Sequence, residues 1–203
     1  MRTPPLEFAD PPGAYLGATR YIDLDAAEVR ALVASLRARV ADDLAYARAA
    51  FEHVRDRVAH SWDIQGRRVT RTASDVARHL EGICYAKSHL LVALLRSAGI
   101  PAGLCYQRLT LGDTPESGYA VHALVACALQ GRWIRLDARG NKPGVDARFS
   151  LDEERLAFPI RAEMDEIDYR VVYADAHPAT VRALEAHDDA MRMYASGLPA
   201  SLG

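Results

Sequence analysis

The sequence predicts an α+β protein whose helices and strands are largely segregated along the chain. Three observations carry that reading. Helical periodicity dominates up to Gly99, strand-type alternation takes over after Pro101, and one helical stretch closes the chain. The helix just before the switch, Cys84 to Ala98, is apolar on nearly all sides, as expected of an element buried between layers. The strands beyond it are broken by short Gly-bearing segments such as Gln130-Gly131, which suit antiparallel neighbours.

Residues 1–20 carry Pro4, Pro5, Pro11, Pro12, Gly13 and Gly17, so an extended lead-in with a short edge strand is expected there rather than a helix. A helix starts near Asp25, where Asp25 and Glu28 have capping-box spacing, and Val29, Leu32, Val33 and Leu36 form its apolar stripe. A second runs from about Asp42 to His60, with Leu44, Ala47, Phe51, Val54 and Val58 inward. After a polar connection over 61–73, Ser74 is placed to cap a short helix that stops at Gly82. Gly99 and Pro101 end the buried helix. Strands follow at 103–111, 119–129, 132–138 and 169–174, with a loop over 138–150 and a short extended piece at 156–160. Pro178 opens a closing helix that reaches about Tyr194. No repeat or linker divides the chain, so 1–203 reads as one domain.

Composition excludes several function classes. Among 203 residues, 25 Lys and Arg face 27 Asp and Glu, a net charge of −2, which gives no general electrostatic reason to bind nucleic acid or acidic lipid. No apolar stretch is long enough to span a bilayer, and the first residues lack the apolar run of a secretory signal. Cys84, Cys105 and Cys127 are odd in number and have no C-x-x-C spacing, which fits reduced thiols in a cytoplasm. Cys105 and Cys127 lie among apolar strand residues and read as core thiols. His79, Cys84 and His89 make a poor zinc set, because the two histidines fall on different predicted helices and no fourth ligand has ordinary spacing. No metal or cofactor is expected. His53, His60, His177 and His187 read as surface histidines, and Arg67, Arg68 and Arg71 as a solvated loop.

The chemistry concentrates on Cys84, His122 and Asp137. Cys84 stands two residues after Gly82, at the start of the buried helix. The partial positive charge and free N–H groups of a helix N-terminus stabilise a thiolate and an oxyanion beside it. A small buried hydrophobe is the plainer reading of a free cysteine, and position alone does not separate the two. Strand geometry adds to the case. With a two-residue turn at Gln130-Gly131, ladder partners sum to 261, so Leu124 faces Asp137, and His122 lies on the same face two residues away. His122 and Asp137 are then diagonal neighbours, whereas an odd-length loop would separate them. Val121, Ala123, Val125, Ile134 and Leu136 take the opposite face as core. A carboxylate on one imidazole nitrogen leaves the other to act on a cysteine, the role set of a Cys-His-Asp triad. Tyr106, Gln107 and Asn141 are further positions expected to line the cleft, with plain strand and turn roles as the alternative.

Gly82, Cys84, Arg96, Gly99, Ile100, Pro101, His122, Trp133 and Asp137 occur in the order found in transglutaminase-like proteins, which the region 74–142 resembles. The segments Cys84 to Ser88 and Asp137 to Asn141 are similar to those of small bacterial members. The resemblance implies a papain-like cysteine-proteinase fold, with N-terminal helices and a buried nucleophile helix packed on an antiparallel sheet. It implies Cys84 as nucleophile, His122 as base and Asp137 as orienter. It also implies a peptide or protein substrate, with an amine as second substrate if the acyl group is transferred. Leu124 and Ala138 depart from the Trp and Pro that many relatives carry, which bears on the pocket rather than the triad. The same fold kept as a binding or scaffold module without turnover is the alternative reading.

Overall fold

The structure is a computed structural model and describes residues 5–203; Pro4 lies outside them. The lead-in forms a two-residue strand, β1 (Glu7–Phe8), and then departs from extended geometry in a 3-10 turn at Pro12–Leu16. That turn buries Tyr15, whose hydroxyl donates to the Val172 carbonyl at 2.9 Å. The first long helix, α1 (Ala27–Arg37), starts two residues later than expected, because the Asp25 and Glu28 capping box does not form. Glu28 is paired with Arg78 instead, and the neighbouring Asp23 accepts from the Ser74 backbone N–H at 3.0 Å. Helix α2 (Asp43–Arg57) starts where expected, and Asp42 caps it by accepting from the Ala45 N–H at 2.8 Å.

Helix α2 ends short of His60 because Ala59–His60 forms strand β2. Thr72, not Ser74, caps α3 (Ala73–His79) in a full capping box with Asp75. The chain then turns through Leu80 (φ 52°) into β3 (Glu81–Gly82), which pairs in parallel with β2, His60 beside Gly82. A Cβ at Gly82 would lie 2.8 Å from the Thr70 Oγ1, so only glycine brings the chain this close before the next helix. That helix, α4 (Cys84–Ser97), is buried at every residue from Cys84 to Arg96. Gly99 ends it with φ +77°.

Four strands complete the fold: β4 (Ala102–Thr110), β5 (Tyr119–Leu129), β6 (Arg132–Leu136) and β7 (Ile167–Tyr173). The sheet order is β1-β7-β4-β5-β6, with β4 central and every pairing antiparallel except β1 to β7. The 156–160 segment is irregular rather than extended. The closing helix is two helices, α5 (Pro178–Glu185) and α6 (Ala190–Ser196). The break follows from Asp189, whose side chain accepts from the Met191 and Arg192 N–H groups and starts α6 afresh.

One face of the sheet packs Val121, Ala123, Val125, Ile134 and Leu136 into the main core with α4, as their alternation requires. The other face, with Cys105, Leu124, Ala126, Val172 and Tyr15, forms a second, smaller core. No helix among the described residues is long and apolar enough to cross a membrane.

Candidate active site

Cys84 is the first residue of α4 and is only 6% exposed. Its N-cap, Ile83, supplies no side-chain oxygen, so no side chain neutralises the helix N-terminus at the sulfur. The β5–β6 turn at Gln130 and Gly131 has positive φ at both positions, the geometry of a two-residue hairpin. Its register pairs Leu129 with Arg132 and Val125 with Leu136, the pairing expected from the sequence. Asp137 follows the last paired residue of β6. The His122 Nε2 and Asp137 Oδ2 lie 2.8 Å apart. Nδ1 is thereby left for the thiol, and Cys84 and His122 line one cleft of about 750 Å³.

Asp137 is fully buried and also accepts from the Arg139 N–H at Oδ1 and the Ala157 N–H at Oδ2, both at 3.0 Å. Burial alone would raise its carboxyl, but the imidazole and these donors hold it below its ordinary value. Burial likewise opposes charge on His122. The Asp137 carboxylate and Cys84 outweigh it and lift the imidazole to about 10. The Phe158 ring stands edge-on to His122 with centroids 5.3 Å apart.

Four charged side chains around the site, Lys87, Arg139, Lys142 and Asp63, had no role assigned from the sequence. Lys87 is one turn along α4 from Cys84, is fully buried, and donates to the Val58 carbonyl. Burial pulls it down to about 7. Arg139 and Lys142 both bind Asp63, at 2.8 Å for each of the Arg139 Nη2 and Lys142 Nζ contacts. Burial works against the charge of Asp63, but these two cations hold its carboxyl well below the usual range. The strap joins the loop after β2 to the loop after Asp137. Lys87 and Arg139 fall inside the family-like segments beginning at Cys84 and Asp137, but those segments assign them no role.

The three further cleft positions are not in the cleft lining. Tyr106 points to the main core, where its hydroxyl accepts from the His177 N–H at 3.0 Å. Gln107 faces His122 across the β4–β5 ladder but is sealed within the sheet. Asn141 is spent on Ala147, accepting from its N–H at 2.8 Å and donating to its carbonyl at 3.2 Å. Among the expected surface histidines, His60 is buried, because β2 carries it under the cleft, and His53, His177 and His187 are half-buried. The arginine loop is anchored rather than free: Arg67 binds Asp189, Arg68 binds Glu81, and Arg71 donates to the Leu184 and His187 carbonyls. Among the described residues no three His, Cys, Asp or Glu side chains are grouped to hold a metal ion.

A buried helix that begins on a cysteine, set against an antiparallel sheet that carries a hydrogen-bonded histidine and aspartate, is a papain-like α+β arrangement. A family model described as the transglutaminase-like superfamily matches residues 30–138, more than half of the chain, and the chain belongs to that superfamily. The match begins well before residue 74 and so takes in α2 and α3. The crystal structure of a candidate cysteine protease from Cytophaga hutchinsonii is similar in fold, with a TM-score of 0.51 and 23% identity over 63% of this chain and 42% of that one. The periplasmic domain of TgpA from Pseudomonas aeruginosa gives 0.44 and 19% over 64% and 48%. A TGase crystal structure gives 0.43 and 14% over 72% and 42%. The chain thus spans less than half the length of each of these structures. No curated protein matches it.

Proposed function

We propose that the chain is a thiol enzyme that acts on amide or peptide bonds. In this reading the Cys84 thiolate attacks the carbonyl carbon and the oxygen takes the negative charge beside the Cys84 backbone N–H. His122 gives its proton to the leaving amine, and an acyl-enzyme remains. Water releases the acyl group by hydrolysis, or a primary amine takes it by transamidation. Asp137 holds the ring so that Nδ1 meets the sulfur and stabilises the imidazolium. The observation that carries the reading is the 2.8 Å His122–Asp137 contact in the cleft that Cys84 lines.

The test is incubation with a peptide library, with and without a primary amine, followed by mass spectrometry. Cleaved or amine-tagged peptides that vanish in Cys84→Ala are the expected result, and the amine arm separates hydrolysis from transfer. Peptides left unchanged by the wild-type chain would sink the enzyme reading and leave a transglutaminase-like module that binds without turnover.

A further inference from the structure

The cleft holds a phenol whose proton has no acceptor. Tyr194, on α6, lines it together with Cys84, yet its hydroxyl is buried and makes no hydrogen bond among the described residues. Such a group costs stability, so a built site that keeps it there invites a ligand oxygen. Its position is set by the scaffold. Asp189 caps α6, binds the Arg67 guanidinium at 2.7 Å, and is followed by Ala190, whose N–H donates to the Arg67 carbonyl at 2.8 Å. The Trp62 ring packs edge-on against the phenol with centroids 5.2 Å apart.

We propose that Tyr194 is a catalytic residue that donates its O–H to the oxyanion formed when Cys84 attacks the substrate carbonyl, as the second donor beside the Cys84 N–H. The inference rests on the thiol-enzyme reading. As the C–S bond forms, the carbonyl π pair moves to oxygen, and Tyr194 gives a hydrogen bond without releasing its proton. As the carbonyl re-forms, the C–N bond breaks and the amine leaves with the proton from His122. The phenol keeps its proton throughout, because burial and then the negative charge of Cys84 push its ionisation above the ordinary tyrosine value. The nearby Trp62 backbone eases ionisation only in part and takes no phenol proton. His60 also lines the cleft with an unpaired Nδ1, and burial together with the cations Arg139 and Lys87 favours its neutral form.

Two reactions at the same sulfur separate this role from others. A peptide aldehyde adds to the thiol and turns its oxygen into the group an oxyanion donor binds; iodoacetamide alkylates the sulfur and forms no oxyanion. In Tyr194→Phe, kcat should fall by on the order of 10²-fold, as when one oxyanion donor is lost, and aldehyde affinity should weaken with it. KM and the rate of Cys84 alkylation should stay at wild-type values, and Tm should not drop, since the lost hydroxyl has no partner. Wild-type aldehyde affinity in Tyr194→Phe would overturn the proposal. Alkylation that slows in parallel would place Tyr194 on the thiol instead. A wild-type chain that alkylates at Cys84 but turns over no peptide removes the enzyme reading and this inference together; turnover that persists in Tyr194→Phe removes only the inference.

Discussion

Cys105 and Cys127 are sealed within the sheet, and burial pushes both thiols up to about 12. Cys84 opens onto the cleft at a helix N-terminus beside a protonated imidazole. Iodoacetamide should therefore modify Cys84 well before the other two in the folded chain, and peptide mapping over time reads the order. Equal rates would mean that the sulfur is not primed. Asp137 makes the second prediction at this scale. It is fully buried with three donors, so Asp137→Ala would orphan backbone N–H groups, and Asp137→Asn is the cleaner change. Turnover should fall by on the order of 10⁴, as when a triad aspartate becomes asparagine. The pH profile should change as well. The His122 imidazolium is stable up to about 10 largely because Asp137 outweighs burial, so the alkaline limb should move to lower pH in the variant. An unmoved limb would assign that titration to another group.

At the scale of elements, Arg96 adds polar anchoring to the apolar packing that holds α4. The buried guanidinium donates to three carbonyls from separate segments, Ala102, Gly17 and Ala174. It thus ties the end of α4 to the start of β4, the lead-in and the end of β7. Arg96→Leu leaves three buried acceptors unpaired and should lower unfolding stability by on the order of 3 kcal/mol. Arg96→Lys should recover only part of that loss, because an ammonium lacks the planar fork that reaches three acceptors. Urea titrations of both variants measure the difference, and equal midpoints for wild type and Arg96→Leu would show that the tie is not a stabilising one. The other end of α4 depends on close approach. Gly82 lets β3 press on Thr70, and this sets where Cys84 enters the cleft.

Across the whole molecule, the site loads the fold with titrating groups of opposite sign. His122 lies above its ordinary 6.5, so its contribution to stability is complete below about 6.5 and is lost as pH rises through about 10. Asp63 and Asp137 are held below their ordinary 3.8, so their contributions are present above 3.8 and are lost as pH falls below it. Lys87 works against the fold. Its ordinary value of 10.5 drops to about 7, so the unfolded chain binds the extra proton between those values and stability gains as pH rises through that window. Lys87→Met should accordingly stabilise the protein most at pH below 7, with the advantage shrinking towards pH 10.5. Thermal melts across that range test it, and a pH-independent difference would mean that the buried amine is not what titrates.

The sequence by itself determined the α+β order, the buried helix with Cys84 at its start, and the hairpin register that puts His122 and Asp137 on one face. Each of these rests on local rules: helical or alternating periodicity, a glycine after a helix, and a two-residue turn with its fixed ladder sum. Only the tertiary structure decided what surrounds the triad positions. Capping shows the difference, since Asp25 and Ser74 were well spaced, yet Glu28 went to Arg78 and Thr72 took the cap. The break before α6, the burial of His60 and the Asp63 strap all depend on partners far along the chain. Tyr106, Gln107 and Asn141 failed as cleft residues because nearness in sequence to the site does not say what a side chain meets: Tyr106 joins the core face, Gln107 shares the His122 face but is sealed in the sheet, and Asn141 is spent on the Ala147 backbone. Tyr194 was invisible because its helix is held at the cleft by long-range contacts such as the Arg67–Asp189 tie, between residues 122 positions apart. Local patterns are written in neighbouring residues, whereas a cleft is walled by long-range packing that no single stretch encodes.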